Sequence, residues 1–249
     1  MRYLGVAVDF DGTLATDGRV PDATVAALVR LRASGRRLVM ATGRELADLH
    51  ATFPRVDLFD LVVAENGGLL YRPSPGTMTP LAPPPPPAFL EALRARGVPV
   101  SVGAVIVATW EAHYAEVCAV IRDLALDVDV ILNKEAVMVL PAGVNKGTGV
   151  ARAAVELSLP LAAMVGIGDA QNDYTLLRAC GVGVAVANAL PSLKEQADLV
   201  TRGARGEGVA EIIERLLADD LAGVSPRPRE AIGVAPHEAD ARKPPAAPT

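Results

Sequence analysis

The sequence is poor in cysteine and in long apolar runs, and each scarcity excludes a class of protein. Only Cys118 and Cys180 occur among the 249 residues, and neither lies in a C-x-x-C motif, which excludes a disulfide scaffold and a zinc ribbon. No apolar run approaches the roughly 18 residues that span a bilayer, and the N-terminal residues do not resemble a signal peptide. We therefore expect a cytoplasmic protein with reduced thiols and no membrane partner.

Positive charge and aromatic side chains are also scarce. The formal net charge is −5 and the isoelectric point is about 5.3, so a broad basic face for nucleic acid is not expected. Aromatic residues make up 4% of the chain, so the core must consist mainly of Val, Leu, Ile and Ala. The hydrophobic fraction of 51% and the charged fraction of 21% are typical of a globular protein that can bury a core.

Apolar runs of strand length alternate with helical periodicity in the first part of the chain. Strands are predicted over Leu4–Val8, Arg37–Ala41 and Leu58–Ala64, with a helix between each pair. The same alternation returns after Gly143. This βαβ pattern predicts an α/β fold with a Rossmann-like, doubly wound parallel sheet.

A proline-rich segment and a compact block interrupt that alternation. The segment Pro73–Pro87 includes five consecutive prolines and predicts a stiff, extended spacer, with an SH3 or WW ligand as the alternative. The block that follows combines helices with strands, one of them over Val100–Thr109, and we interpret it as an inserted α+β unit. The predicted organisation is a first core part (1–78), the inserted unit (79–143), a second core part (144–221) and a disordered tail (222–249).

Two aspartates stand directly after the first predicted strand. Asp9 and Asp11 belong to a D-x-D-G-T sequence. Ligands of open α/β sheets bind outside the carboxyl ends of the strands. Gly12 permits a tight turn whose N–H groups can hold an anion. We expect a ligand site here, the alternative being a turn with two solvated aspartates.

A second acidic motif follows a later strand. The sequence G-x-G-D-x-x-N-D places Asp169, Asn172 and Asp173 at the same edge of the predicted sheet. Four converging carboxylates repel one another unless a cation lies among them, and ligands that are all oxygen suit Mg²⁺. The same segment partly matches the dinucleotide motif G-x-G-x-x-G. Gln171 replaces its third glycine, however, so we reject a nicotinamide or flavin site.

Two further positions offer groups for phosphate. Thr42 and Gly43, which precede Arg44 after the second strand, supply a hydroxyl and a backbone N–H. An ordinary helix N-cap is the alternative there. Lys146 opens the first helix after the inserted block, and a site with four carboxylates and a phosphate requires such a cation. A solvated surface lysine is the alternative.

These motifs resemble those of the haloacid dehalogenase superfamily of phosphohydrolases. D-x-D-G-T, T-G-R, the lysine and G-D-x-x-N-D occur in the superfamily's order, and Glu65-Asn66-Gly67 resembles the E-N-G that many members of the Cof-type, or IIB, branch carry before their cap. The resemblance covers about Arg2 to Ala218 and identifies the inserted block as that cap. The branch includes sugar-phosphate and phosphoglycolate phosphatases, so the resemblance implies a phosphoric monoester hydrolase.

The resemblance also implies a role for each motif residue. Asp9 is the expected nucleophile that forms an aspartyl-phosphate. Asp11 is expected to protonate the leaving alcohol and then to deprotonate the attacking water. Lys146 is the third expected catalytic residue and neutralises phosphoryl oxygens. The implied phosphate-binding residues are Gly12, Thr42, Gly43 and Asn172, and the implied Mg²⁺ ligands are Asp9, Asp11 through its backbone carbonyl, Asp169 and Asp173.

The sequence leaves two other functions open. A phosphotransferase of the phosphomannomutase type carries the same motifs, and a non-catalytic regulatory module with the same fold is the third hypothesis. Because a cap covers the site, the expected substrate is a small phosphorylated metabolite. The cap residues Trp110, Glu111, His113 and Tyr114 face either the substrate or the cap's own core. Asn133 and Lys134 either bind a substrate anion or form a solvated turn.

Overall fold

The computed structural model describes residues 1–133 and 135–224, which form two β-sheets with helices packed against them. The helices are α1 (Asp22–Ala33), α2 (Leu46–Thr52), α3 (Pro87–Ala95), α4 (Tyr114–Asp123), α5 (Lys146–Glu156), α6 (Tyr174–Ala179), α7 (Pro191–Gln196) and α8 (Arg205–Asp219). The strands are β1 (Gly5–Asp9), β2 (Arg37–Ala41), β3 (Leu61–Ala64), β4 (Leu69–Arg72), β5 (Thr77–Pro80), β6 (Ser101–Val102), β7 (Val107–Trp110), β8 (Val128–Asn133), β9 (Ala136–Pro141), β10 (Met164–Gly168), β11 (Val182–Ala185) and β12 (Leu199–Val200).

The large sheet has eight strands in the order β12-β11-β10-β1-β2-β3-β4-β5. The six strands from β12 to β3 are parallel, and β4 and β5 add an antiparallel hairpin. Every residue of β1 and β10 is buried, as expected for strands covered on both faces. α1 packs against α8, and α5 packs against α6. The predicted α/β fold with a doubly wound parallel sheet is confirmed.

The small sheet has four antiparallel strands in the order β6-β7-β9-β8. One of its faces packs against α3 and α4 through Phe89, Leu93, Val117 and Val120. This apolar cluster is separate from that of the large sheet. The inserted block therefore has a core of its own. Its predicted bounds of 79–143 enclose α3, α4 and the whole of the small sheet, but the boundary at 78/79 falls inside β5, whose residues Thr79 and Pro80 pair with β4 in the large sheet.

The prediction of a spacer over Pro73–Pro87 is wrong for part of that segment. Thr77–Pro80 forms β5, which pairs with β4 at the edge of the large sheet. An edge strand tolerates proline because one row of its backbone groups needs no partner in the sheet. Residues 81–86 form neither helix nor strand, and Pro87 begins α3, where a missing N–H costs nothing.

The single strand predicted over Val100–Thr109 is also wrong. The structure divides it into β6 and β7, which pair antiparallel across a turn. The turn forms because the Glu65 carboxylate accepts hydrogen bonds from the backbone N–H groups of Ala104, Val105 and Ile106. These N–H groups are therefore not available to continue a strand.

Two predicted features lie wholly or mostly outside the described residues. Lys134 lies wholly outside them. The predicted tail over 222–249 lies outside them except for residues 222–224, which follow α8 in a turn. Across residues 1–133 and 135–224, no helix combines the length and the apolar character that crossing a membrane requires.

Candidate active site

The register of the large sheet brings three of the sequence motifs to one edge. In the pairing of β1 with β2, Asp9 lies opposite Ala41, so the D-x-D-G-T turn emerges beside Thr42. In the pairing of β1 with β10, Val8 lies opposite Ile167, so Asp169 emerges on the other side of Asp9. The carboxyl ends of three adjacent parallel strands thus form the crevice where ligands of such sheets bind.

Lys146 supplies the cation of this crevice from the first residue of α5. Its Nζ donates to Asp9 Oδ1 at 2.6 Å and to Asp173 Oδ1 at 2.7 Å, and its side chain is only 1% exposed. The helix starts at this point because Asn145 caps it, with its side chain accepting from Thr148 N. The prediction that Lys146 meets the carboxylates therefore agrees with the geometry, and a solvated surface lysine does not.

The second acidic motif closes on itself around Asp173. Asp173 Oδ2 accepts from the backbone N–H groups of Asp169 and Ala170, at 2.9 and 3.0 Å. Thr13 donates its hydroxyl to Asp169 Oδ1 at 3.0 Å, which joins the two acidic motifs. Each carboxylate is thus fixed by hydrogen bonds from the opposing turn or from the backbone.

Burial and charge perturb both partners of the central ion pair. Burial, together with the Asp173 carboxylate, raises the pKa of Asp9 well above its ordinary value, against the opposing effect of Lys146. Burial disfavours the charged ammonium, but the carboxylates of Asp173 and Asp9 outweigh it and raise the pKa of Lys146. The cluster therefore contains more carboxylates than cationic groups.

Asp9, Asp169 and Asp173 form a group that fits a divalent cation. One carboxylate oxygen from each lies within 4.8 Å of the others, and all three residues are buried. One ammonium against three carboxylates leaves excess negative charge in a place with little water, which a hard cation would neutralise. The donor set is oxygen only, as Mg²⁺ prefers.

Gly12 is required where the two acidic turns meet. Its φ is +94°, in the region that side chains disfavour, and a Cβ atom at this residue would lie 2.4 Å from Asp169 Oδ2. The glycine of D-x-D-G-T therefore allows Asp169 to approach the first motif. Its predicted role in phosphate binding stays a prediction.

Asp11 does not join the carboxylate group with its side chain. Arg44 holds both of its oxygens, with Nε at 2.6 Å from Oδ2 and Nη2 at 2.8 Å from Oδ1. Arg44 in turn donates to Asp48 and Thr52 of α2 and lies over the ring of Phe10. The hydrogen bonds to Asp11 raise the pKa of Arg44, although partial burial opposes the shift. Sequence reasoning gave Arg44 no role, although the T-G-R motif contained it.

Thr42 and Gly43 lie where phosphate binding was predicted. Thr42 is fully buried, and its hydroxyl accepts from the backbone N–H of Arg44 at 3.1 Å, which leaves the hydroxyl proton to donate elsewhere. Gly43 lines a cavity of about 120 Å³ together with Asp9 and Asp11. Thr42 itself does not line this cavity, and the predicted roles of Thr42 and Gly43 in phosphate binding stay predictions.

Asn172 lines the same cavity but is only half satisfied. Its Nδ2 donates to Asn66 Oδ1 at 2.9 Å, and its own buried Oδ1 has no hydrogen-bond partner among the described residues. An unpaired acceptor beside three carboxylates suits a water molecule bound to a cation, which further supports the fit to a metal. The phosphate-binding role of Asn172 stays a prediction.

The E-N-G segment connects the large sheet to the small one. Glu65 binds the turn at Ala104–Ile106, and Asn66 Nδ2 lies 2.8 Å from the sulfur of Met138 in β9. Gly67 has a φ of +108°, and a Cβ atom there would lie 2.1 Å from the carbonyl oxygen of Asn145. The sequence pointed to this segment only through its resemblance to the E-N-G of the Cof-type branch. Its contacts with the small sheet were not predicted.

Comparisons with known proteins identify the family of this chain. The model of the haloacid dehalogenase-like hydrolase family matches residues 6–80 and 106–213. A phosphoglycolate phosphatase of Methanothermobacter thermautotrophicus is 33% identical over 221 residues, which cover 85% of this chain and 98% of the relative. A phosphoglycolate phosphatase of Natronomonas pharaonis is 33% identical over 227 residues, which cover 84% and 96%.

Solved structures show the same fold. A haloacid dehalogenase-like hydrolase from Bacteroides thetaiotaomicron superposes with a TM-score of 0.73 at 20% identity, covering 86% of this chain and 99% of the other. A haloacid dehalogenase subclass IIB sugar phosphatase superposes with a TM-score of 0.70 at 19% identity, covering 85% and 98%. The chain therefore belongs to the haloacid dehalogenase-like hydrolase family.

Proposed function

We propose that this chain is a Mg²⁺-dependent phosphatase that hydrolyses a small phosphorylated metabolite through an aspartyl-phosphate on Asp9. The observation that carries the proposal is the buried ammonium of Lys146 between Asp9 and Asp173. This lysine orients Asp9 and supplies positive charge where phosphoryl oxygens would arrive.

The reaction has two steps. In the first, a carboxylate oxygen of Asp9 attacks phosphorus and the bond from phosphorus to the leaving oxygen breaks. Asp11, which must release Arg44 and take a proton from solvent before it can act as an acid, gives that oxygen the proton. In the second, a water oxygen attacks the same phosphorus, Asp11 takes a proton from the water, and the bond to Asp9 breaks. Inorganic phosphate leaves, and both carboxyl groups return to their starting states.

The carboxylates of Asp9, Asp169 and Asp173 are the groups that would hold Mg²⁺, with the backbone carbonyl of Asp11 as the fourth proposed ligand. A bound Mg²⁺ supplies charge neutralisation for the phosphoryl group. Thr42, Gly43 and Lys146 would bind the remaining phosphoryl oxygens. Asp173 also holds Lys146 in place, so its substitution should disturb both the cation and the lysine.

Two features support a small substrate. The cavity at Asp9 holds about 120 Å³, enough for a phosphoryl group, and Asn133 and Met138 of the small sheet lie across it. We propose that residues 79–143 act as the cap that excludes large substrates and water. The names of the relatives make 2-phosphoglycolate a candidate substrate, and a sugar phosphate is the other.

The test is phosphate release from a panel of phosphorylated metabolites with Mg²⁺ or with EDTA. We expect release only with the metal, and we expect Asp9→Asn to lower turnover by about 10³-fold or more while it remains folded, as judged by circular dichroism. Transfer of the phosphoryl group to a sugar hydroxyl, with no free phosphate, would support a phosphotransferase instead. Undiminished release by Asp9→Asn would exclude Asp9 as the nucleophile.

A further inference from the structure

A second, larger cavity adjoins the one at Asp9. It holds about 630 Å³, against about 120 Å³ for the cavity at Asp9. Asp11, Arg44, Asn133 and Met138 line both, so the two spaces share a border. Because Asp11 is the proposed proton donor to the leaving oxygen, a leaving group would extend from the small cavity into the large one. We call the larger space the leaving-group cavity.

The small sheet forms one wall of this cavity because its side chains alternate. Val107 and Thr109 of β7 are buried on the side of α3 and α4, so Trp110 projects from the opposite face. On that face Trp110 pairs with Ala136 of β9, and Ala136 pairs in turn with Asn133 of β8. All three line the leaving-group cavity.

Trp110 is unusual in this chain. It is the only tryptophan among the 249 residues, and it is 62% exposed although its strand lies within a sheet. A large apolar side chain left open at the border of a cavity offers a flat surface to a ligand. Glu111, His113 and Tyr114, which the sequence grouped with Trp110, do not line the leaving-group cavity.

The start of α8 forms the opposite wall and brings Arg205 to the cavity. The backbone N–H of Arg205 donates to Asn188 Oδ1 at 2.8 Å, and Asn188 Nδ2 donates to the carbonyl oxygen of Gly12 at 2.9 Å. Arg205 is thus tied through one side chain to the D-x-D-G-T turn. Its φ is +51°, a conformation that a non-glycine residue adopts at a cost and that is frequent at functional sites.

The charged groups of the leaving-group cavity differ in whether they have partners. Arg44 and Asp11 bind each other. The structure gives the side chains of Arg205, Asp17 and Glu135 no ion-pair partner within residues 1–133 and 135–224, and all three are exposed. The cavity therefore offers one donor group and two acceptor groups to a ligand, together with the amide of Asn133.

We propose that Trp110 and Arg205 are specificity-determining residues that bind a polyhydroxylated leaving group. Its carbon–hydrogen face would pack on the indole, and its hydroxyl groups would donate to Asp17 or Glu135 and accept from Arg205. The two carbons of glycolate would leave most of 630 Å³ unfilled, and its carboxylate could pair with Arg205 but not with Asp17 or Glu135, whereas hydroxyl groups can bind all three. This inference rests on the proposed function and chooses between its two substrate classes.

The first experiment measures the binding of a phosphorylated ligand without its turnover. Because Trp110 is the only tryptophan among the 249 residues, the tryptophan fluorescence of the full-length Asp9→Asn variant reports on the surroundings of this residue. Trp110 lines the leaving-group cavity and a neighbouring apolar cavity with Pro99 and Val100, so the Arg205→Gln variant assigns the signal to the leaving-group cavity. We expect a saturable fluorescence change on titration with sorbitol phosphate in the presence of Mg²⁺, and no change with ethyl phosphate. Arg205→Gln should weaken the sorbitol phosphate affinity by about tenfold, as for a lost hydrogen bond to a charged group.

Arg202→Gln is the matched control. Arg202 is an exposed arginine three residues before Arg205, and it lines a separate cavity with Glu211 and Arg215. We expect the same affinity with and without this substitution. An unchanged fluorescence at saturating sorbitol phosphate would overturn the inference, even if the wild type still releases phosphate from other substrates.

The second experiment reads specificity. We expect kcat/KM of the wild type to rise from ethyl phosphate through glycerol phosphate to sorbitol phosphate. Trp110→Ala and Arg205→Gln should reduce that rise through KM, whereas Arg202→Gln should leave it unchanged. A wild type that prefers 2-phosphoglycolate, with Arg205→Gln lowering only that activity, would overturn the inference in favour of a carboxylate subsite. Failure of the proposed function itself would appear differently, as no metal-dependent release from any substrate.

Discussion

The carboxyl edge of β1 and β10 differs from the leaving-group cavity beside it in how its charges are held. At the strand edge, Lys146 and Asp173 are buried, and each is fixed by at least two hydrogen bonds. In the cavity, Trp110, Asp17 and Arg205 are exposed and their polar groups have no ion-pair partner in the described part of the chain. The groups proposed to carry out the reaction are therefore preorganised by hydrogen bonds, whereas the groups proposed to bind the leaving group remain exposed to a ligand.

This difference follows from what each region must do. Groups that stabilise a transition state work best when no reorganisation is needed at the moment of reaction, and burial makes their charges more effective. The same burial is costly, because a charge without its partner in the interior is strongly destabilising. The strand edge should therefore respond to substitution with loss of stability as well as activity, and the cavity with loss of specificity alone.

The largest expected effect is that of Lys146→Met. Without the ammonium, the buried carboxylates of Asp9 and Asp173 face each other without compensation. We expect the free energy of unfolding to fall by about 3–5 kcal/mol, as for a buried ion pair that loses one partner. Turnover should also be abolished. Thermal or urea unfolding measures the first effect, and phosphate release measures the second.

Lys194→Met is the control for this substitution. Its Nζ donates to the carbonyl oxygen of Ala187, an uncharged acceptor, at 2.6 Å. We expect a loss of only about 1 kcal/mol, typical of one hydrogen bond. Equal losses in the free energy of unfolding for the two variants would contradict the claim that the buried carboxylates at the strand edge depend on Lys146 for compensation.

Arg44→Gln should have the next largest effect. In the first step, the effect should be confined to substrates whose leaving group must be protonated. The substitution removes both hydrogen bonds that hold the Asp11 carboxylate. We expect turnover of an alkyl phosphate to fall by about 10–100-fold, in the lower range for a group that transfers a proton. The first step with p-nitrophenyl phosphate, followed as the pre-steady-state burst of nitrophenolate, should change much less, since this leaving group departs without protonation.

Asp48→Asn controls for the other contacts of Arg44. It removes one ion pair to α2 but leaves the two bonds to Asp11 in place. Its exposed pair is worth little, so neither substrate should be affected. An equal loss in the rate of the first step on both substrates in Arg44→Gln would assign Arg44 a structural role only.

The smallest effect is expected at the junction between the two sheets. Glu65→Gln replaces one of two oxygens that accept the N–H groups of Ala104, Val105 and Ile106. We expect a loss of about 1–2 kcal/mol in stability and faster hydrogen exchange at those amides. Glu211→Gln is the control, because Glu211 accepts two backbone N–H groups at a partly exposed position. Unchanged exchange at 104–106 would contradict the anchoring role of Glu65.

The sequence predicted the strand edge well and the region between the sheets poorly. Asp9 and Asp169 were recognisable because each ends a wholly apolar strand, and parallel strands bring such ends together. The division of Val100–Thr109 was not predictable from periodicity, since it depends on Glu65, about 40 residues earlier. The hairpin of β4 and β5 was missed because its prolines favour a spacer, whereas the sheet edge accepts them.

The leaving-group cavity was beyond sequence reasoning for a related reason. Trp110 and Arg205 lie 95 positions apart in the chain, and only the placement of the small sheet over the start of α8 brings both to one space. The local pattern around Arg205 is that of an ordinary surface helix. The sequence left open whether Trp110 faces the substrate or the core of the inserted block. The alternation of side chains along β7 places it on the face opposite that core.

The most direct test of the account is to find the phosphoryl group on Asp9. Wild-type protein mixed with Mg²⁺ and a turned-over substrate is quenched in acid within one turnover, digested and analysed by mass spectrometry. The account predicts a phosphoryl group on the peptide that contains Asp9, absent from the Asp9→Asn variant. Phosphate release with no phosphoryl group on any peptide, or with one on another residue, would contradict it.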